Sequence, residues 1–165
     1  MKYRIEKMGE LEVIVKKKNF SCDLETSNRQ LPEFWGECWT DKTMLELFER
    51  NPKEGIFGDA LLGLCLSEIP QANEFVYAIG MMYDGGPVAE ELSVEKIPAH
   101  TWAVFECVGP IPEAFQKMQH TVYSEFFPSS EYQPSSGLDI QVYPTGDMQS
   151  DKYVCQLWIP IEKNL

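Results

Sequence analysis

The 165-residue chain is 44% hydrophobic and 12% aromatic, enough for one sizeable folded core and too much for a disordered polymer. Its 26 acidic and 14 basic residues leave a formal charge of −12, which repels phosphate backbones, excludes direct nucleic-acid binding and favours a cationic ligand or a basic protein partner. Five widely spaced cysteines (Cys22, Cys38, Cys65, Cys107, Cys155) with no C-x-x-C pair, and two histidines (His100, His120) remote from them in sequence, exclude a disulfide framework and a zinc site.

The first 18 residues, MKYRIEKMGELEVIVKKK, are charged throughout, so neither a signal peptide nor a membrane span is expected and the protein is expected in the cytoplasm. Residues 11–18 begin with alternating apolar, β-branched positions, which predicts a strand. NFSCDLETSNRQ is polar and reads as a loop. Leu31, Phe34, Trp35, Cys38 and Trp39 then recur at helical spacing, with Pro32 near the helix start. A second short helix is expected from the capping residue Asp41 through Met44, Leu45 and Phe48, stopped by Asn51-Pro52. Residues 55–67 form an apolar strand in which Gly58 and Gly63 mark bulges or the close approach of another group. Residues 74–82 form the next strand. Asp84-Gly85-Gly86-Pro87 breaks the chain, and 88–98 is a connector ending at Ile97-Pro98.

The order then begins again. HTWAVFEC (100–107) is a strand, and Gly109-Pro110-Ile111-Pro112 leads into a helix with Ala114, Phe115, Met118, Val122 and Phe126 on its apolar face. A Ser/Pro-rich loop, PSSEYQPSSG, precedes strands at 138–143 and 152–161. The expected fold is α+β, a tandem β-α-β-β arrangement with pseudo-two-fold symmetry in a single domain over 1–165. Its halves cover about 1–87 and 96–165, and their strands join in one curved antiparallel sheet. With the helices on one side, the opposite face is expected to form a ligand groove between the halves.

Strand parity selects the groove candidates. Gln141 and Tyr143 share a face with Asp139, and Gln156 shares one with Trp158, opposite the apolar set Cys155, Leu157 and Ile159. Phe57 pairs with Asp59, Trp102 alternates with Val104 and Glu106, and Tyr77 with Phe75 and Ile79. Aromatic rings beside acidic or amide groups suit a flat cation, through stacking and cation–π attraction. Trp35 and Trp39 are spaced as core-packing residues. No nucleophile–histidine motif and no phosphate-cradling glycine loop occur, so neither a cofactor, a bound metal nor an obvious enzymatic centre is expected.

Several pieces in this order resemble the gyrase-inhibitor-like (GyrI-like) small-molecule-binding domains, also called AraC-type effector-binding domains. They are Leu31-Pro32-Glu33-Phe34-Trp35, Ile56-Phe57-Gly58, Ile97-Pro98-Ala99 leading into Trp102-Ala103-Val104-Phe105, and Val108-Gly109-Pro110. They continue with Tyr123-Ser124-Glu125-Phe126-Phe127-Pro128, Ile140-Gln141-Val142-Tyr143-Pro144, and the closing run from Asp151 to Ile161. The resemblance implies the tandem fold, a pocket between the halves and a lipophilic cation as ligand. In the family this domain often accompanies a helix-turn-helix module, which this sequence lacks. The family also commonly has a glutamate two residues before the penultimate-strand tyrosine, where Gln141 stands here, and a second acid where Gln156 stands. An amide donates hydrogen bonds but neutralises no charge. Either the ligand is neutral, or another acid such as Asp59, Glu37 or Glu106 takes over.

The leading expectation is therefore a binding module for a hydrophobic, flat compound. Trp35, Phe57, Tyr77, Trp102, Tyr143 and Trp158 would line the pocket, with Asp59 as a candidate charge and Gln141 and Gln156 orienting the ligand. The alternatives are a protein-interaction role with a basic partner, since some family members act on DNA gyrase, and a small-molecule hydrolase that would need Asp59, Glu37 or Glu106 in the pocket.

Overall fold

A computed structural model describes residues 2–50, 52, 55–67 and 73–165 of the chain. Alternating burial sets the strands. Among the described residues these are β1 (Tyr3–Met8), β2 (Leu11–Ser21), β3 (Leu61–Cys65), β4 (Glu74–Met82), β5 (Ser93–Ile97), β6 (His100–Val108), β7 (Tyr132–Pro134), β8 (Asp139–Tyr143) and β9 (Val154–Lys163). All pair antiparallel in one sheet, in the row β1-β6-β9-β8-β3-β4-β2-β5, with β7 set against β9. Exchanging β1 with β5, β2 with β6, β3 with β8 and β4 with β9 turns this row onto its own reverse. The tandem order is thus present as β2-α-β3-β4 and β6-α-β8-β9. Each unit also has an outer strand that crosses to flank the other unit: β1 lies beside β6, and β5 beside β2.

These two outer strands fall where the sequence reading expects no strand. Both are sheet edges, β1 with mostly exposed and β5 with mostly half-buried side chains, so neither shows a clear alternation of buried and exposed positions. The strand expected over 55–67 is shorter. Residues 55–59 turn back on themselves through Gly58, whose φ of +55° suits glycine, and only Leu61–Cys65 joins the sheet.

Helix α1 (Leu24–Thr40) starts seven residues before the expected Leu31, inside the stretch read as a loop. Asp23 caps it, accepting from the Thr26 backbone N–H at 3.1 Å, and the polar first turns face water. Pro32 therefore sits in the helix interior. Helix α2 (Thr43–Phe48) follows, and Asn51, expected to stop it, lies outside the described residues. Helix α3 (Glu113–Thr121) widens into a π-helical turn (Val122–Phe126) and ends in a single turn, α4 (Phe127–Ser129).

The two long helices lie on one face of the sheet. Phe34 and Cys38 of α1 pack on Phe20, Tyr77 and Ile79, while Phe115 and Val122 pack with Phe105, Cys107, Cys155 and Leu157 in the same core. The other face forms a second buried cluster in which Val13, Val15, Leu62, Leu64, Trp102, Val104, Ile140, Val142 and Trp158 meet. Each large apolar side chain removed from water in this way contributes about 1.5–3 kcal/mol.

Candidate functional site

A cavity of about 710 Å³ opens between α1 and α3, on the helix-bearing face and over the seam where β3 meets β8. That volume lies within the range of small-molecule sites. The face expected to carry the groove is instead filled: Trp102 and Trp158 are fully buried there, and Phe57 from the turn before β3 meets Trp158 edge-on at 5.1 Å. Strand parity shows which residues share a face, but not which face the helices cover.

One wall comes from α1, through Asn28, Leu31, Pro32, Trp35 and Trp39, at the i, i+3 and i+4 spacings that align along one helix side. Pro32 has no N–H to give the Asn28 carbonyl one turn back, and both residues line the cavity. Facing them are Pro112, Phe115, Gln116 and Gln119 at the start of and along α3. Ile111 and Met148 close one end, tied together by a bond from the Ile111 N–H to the Met148 carbonyl at 2.9 Å.

Tyr77 from β4 and Gln141 and Tyr143 from β8 form the floor. The Trp35 Nε1–H donates to the Tyr77 hydroxyl at 3.2 Å, and Tyr77 donates to Gln141 Oε1 at 2.9 Å. Tyr143 donates to the same oxygen at 3.2 Å. An indole N–H only donates, so it sets the direction of the chain and makes the Gln141 carbonyl the terminal acceptor. Among the described residues the Gln141 amide nitrogen donates to no protein group, and Gln141 lines the cavity. Burial pushes the Tyr77 and Tyr143 hydroxyls far above the ordinary phenol range, so both remain neutral donors.

Gly63 makes this network possible. A Cβ there would overlap the Tyr77 hydroxyl and stand 2.6 Å from Gln141 Oε1 and 3.2 Å from the Trp35 ring. The close approach expected at this glycine is therefore to side chains of the site itself.

Of the nine residues singled out in the sequence, Trp35, Tyr77, Gln141 and Tyr143 come together in the cavity. Phe57, Trp102 and Trp158 lie in the core of the opposite face. Gln156 accepts from the Trp158 Nε1–H at 3.0 Å on that side, and Asp59 is exposed in the turn before β3. Sequence reasoning left the α3 wall and Trp39 out of the site. Their signal was the pair of ladders 28/31/35/39 and 112/115/116/119, which a core stripe also produces. Among the described residues no cluster of three metal-ligating side chains occurs, and no helix is long and apolar enough to cross a membrane.

A model of the GyrI-like small molecule binding domain matches residues 1–162. No curated protein matches the chain. Among solved structures, SAV2435 bound to tetraphenylphosphonium is 22% identical with a TM-score of 0.80, over 98% of this chain and 94% of that one. A putative bacterial transcription regulation protein from Staphylococcus aureus MU50 is 20% identical with a TM-score of 0.82, over 98% and 99%. The chain of EcmrR in its complex with DNA is 15% identical with a TM-score of 0.62, over 99% of this chain and 58% of that one.

Proposed function

Because the chain belongs to the GyrI-like small-molecule-binding domain family, we propose that it is a receptor for a flat, hydrophobic, cationic aromatic compound held between α1 and α3. The observation that carries this assignment is the hydrogen-bonded floor Trp35–Tyr77–Gln141–Tyr143 beneath a cavity walled by apolar and amide side chains. Trp35, Tyr77 and Tyr143 offer ring surface to a delocalised cation. Such contacts contribute about 0.5–2 kcal/mol each, depending on desolvation. The charge of −12 adds attraction at longer range. Tetraphenylphosphonium on SAV2435, on a chain of the same fold, is likewise a hydrophobic aromatic cation, but its four rings stand tetrahedrally about phosphorus, so the cavity is to be tried with three-dimensional as well as flat cations. Gln141 orients the compound through its free amide nitrogen.

The whole chain then acts as one effector-binding domain, its two halves each giving one wall. Five free cysteines suit a reducing cytoplasm.

The test is a tryptophan-quenching and thermal-shift screen of planar aromatic cations and their neutral counterparts. Saturable binding that Trp35→Ala or Tyr143→Ala weakens at least tenfold is expected. Binding that both variants leave unchanged would place the ligand elsewhere. A second assignment, to a basic protein partner, draws on the acidic balance alone. It predicts capture of that partner at low salt and its release as salt screens the field.

A further inference from the structure

The acids that could stand in for the family's glutamate are not in the cavity. Asp59 and Glu37 are exposed, and Glu106 pairs with Lys2 at 3.3 Å. The floor strand carries another. Asp139 precedes Gln141 by two residues on β8, so it shares the face of Gln141 and Tyr143, about 7 Å further along the strand. It does not line the cavity itself; it stands opposite Cys65 of β3, which is opposite Tyr77 of β4.

Its Oδ1 is shut off from water and has no hydrogen-bond partner among the described residues. The titratable groups around it are Cys65 on β3, Tyr77 on β4, Tyr143 on its own strand and Tyr123 on the π-helical turn; Cys22, just beyond β2, acts on Cys65. None of them is a cation. Tyr123 follows the wall residue Gln119 by four positions, which carries the α3 side of the groove towards Asp139.

We propose that Asp139 is the counter-charge of this site and makes it select lipophilic cations over neutral compounds of the same shape. The inference rests on the α1–α3 cavity being the ligand site. A half-buried carboxylate with one oxygen closed off from water, only the Cys65 backbone N–H to favour its charge and no basic partner among the described residues is costly in the empty protein. A delocalised cation on the neighbouring floor supplies the missing opposite charge at short range, without a direct contact.

Burial pushes the Asp139 carboxyl up to about 7, so in the empty protein it is largely protonated in mildly acidic solution. A cation binds the ionised form better, and binding is therefore linked to proton release. Cation affinity rises by at most about tenfold per pH unit below 7 and levels off above it. A neutral ligand shows no such slope.

The experiment compares tetraphenylphosphonium with neutral triphenylphosphine oxide from pH 5.5 to 8.5, on the wild type, Asp139→Asn and Trp35→Ala. In the wild type only the phosphonium should bind more tightly as pH rises. Asp139→Asn should lose about tenfold in phosphonium affinity at pH 8, lose the slope, and keep its affinity for the oxide. Calorimetry of the wild type in two buffers of different ionisation enthalpy gives a second readout that needs no variant. It should detect proton release on phosphonium binding at pH 6 and none with the oxide. Phosphonium binding that depends on Trp35 but shows neither slope nor proton release would overturn the role of Asp139 and leave the cavity assignment standing. Binding of neither probe, or binding indifferent to Trp35→Ala, would overturn both.

Discussion

Gly63 is the smallest residue in the floor and sets its depth. Because any Cβ there would meet Tyr77, Gln141 and Trp35 together, Gly63→Ala must break the Trp35–Tyr77–Gln141 chain or shift β3 against β8. Overpacking of this kind costs about 1–3 kcal/mol, so a lower melting temperature and a loss of cation binding of at least tenfold are expected, measured by calorimetry and quenching. The role of Gly63 was half legible, since a glycine within an apolar run signals close approach without saying by what. For Gln141, Tyr143 and Tyr77, parity showed which residues share a face. For Trp102 and Trp158 the same reasoning produced an equally plausible aromatic set that fills a core, because no pattern within a strand reveals where the helices dock.

At the scale of elements, the junction of α1 and α2 depends on Asp41. Its Oδ1 accepts from the Thr43 N–H at 2.8 Å, and its Oδ2 holds Lys16 of β2 at 2.6 Å. Burial works to raise its carboxyl, but the bonds from Lys16 and Thr43 outweigh this and bring it down to about 2. With the folded value depressed, the contribution is complete above about pH 4 and lost as pH falls towards 2. Asp41→Ala should cost about 1 kcal/mol at neutral pH, chiefly through the lost bond from the Thr43 N–H, and clearly less at pH 2, where the carboxyl is about half protonated, as read from urea unfolding at each pH. Much of this exposed ion pair is screened by solvent. Asp41 was recognisable in the sequence as a helix-boundary residue; expected to cap α2, it ends α1 and bonds the Thr43 N–H, while Lys42 holds the cap position of α2. Asp23 was not, because the polar first turns of α1 face water and so resemble a loop. The edge strands β1 and β5 escaped for a related reason: one side of each has no neighbour, and burial imposes little alternation on them.

At the scale of the whole molecule, the tandem order was legible from the spacing of strands and helices, while the swap of outer strands between units was not, because pairing partners leave no local mark. One global property follows from the Asp139 carboxylate beside the floor. The folded protein holds the Asp139 proton up to about 7, whereas an unfolded chain releases it near 4, so the folded state binds more protons across that window. Stability of the empty protein therefore falls from about pH 4 to 7 through this group. Asp139→Asn should raise the melting temperature at pH 8 and give no gain at pH 4, as a pH series of thermal melts would report.

Within the strand row, the pairing of β3 with β8 is the junction between the two units, and it extends from Leu61 opposite Tyr143 to Cys65 opposite Asp139. A compound seated between α1 and α3 spans this short ladder and works as a staple across it. Occupancy should then be recorded in deuterium uptake, slowing isotope exchange at the amides of β3 and β8 while the outer strands β1 and β5 exchange as before. The protein would carry its response to a ligand as a change in how firmly its two units are fastened, with no change of shape required.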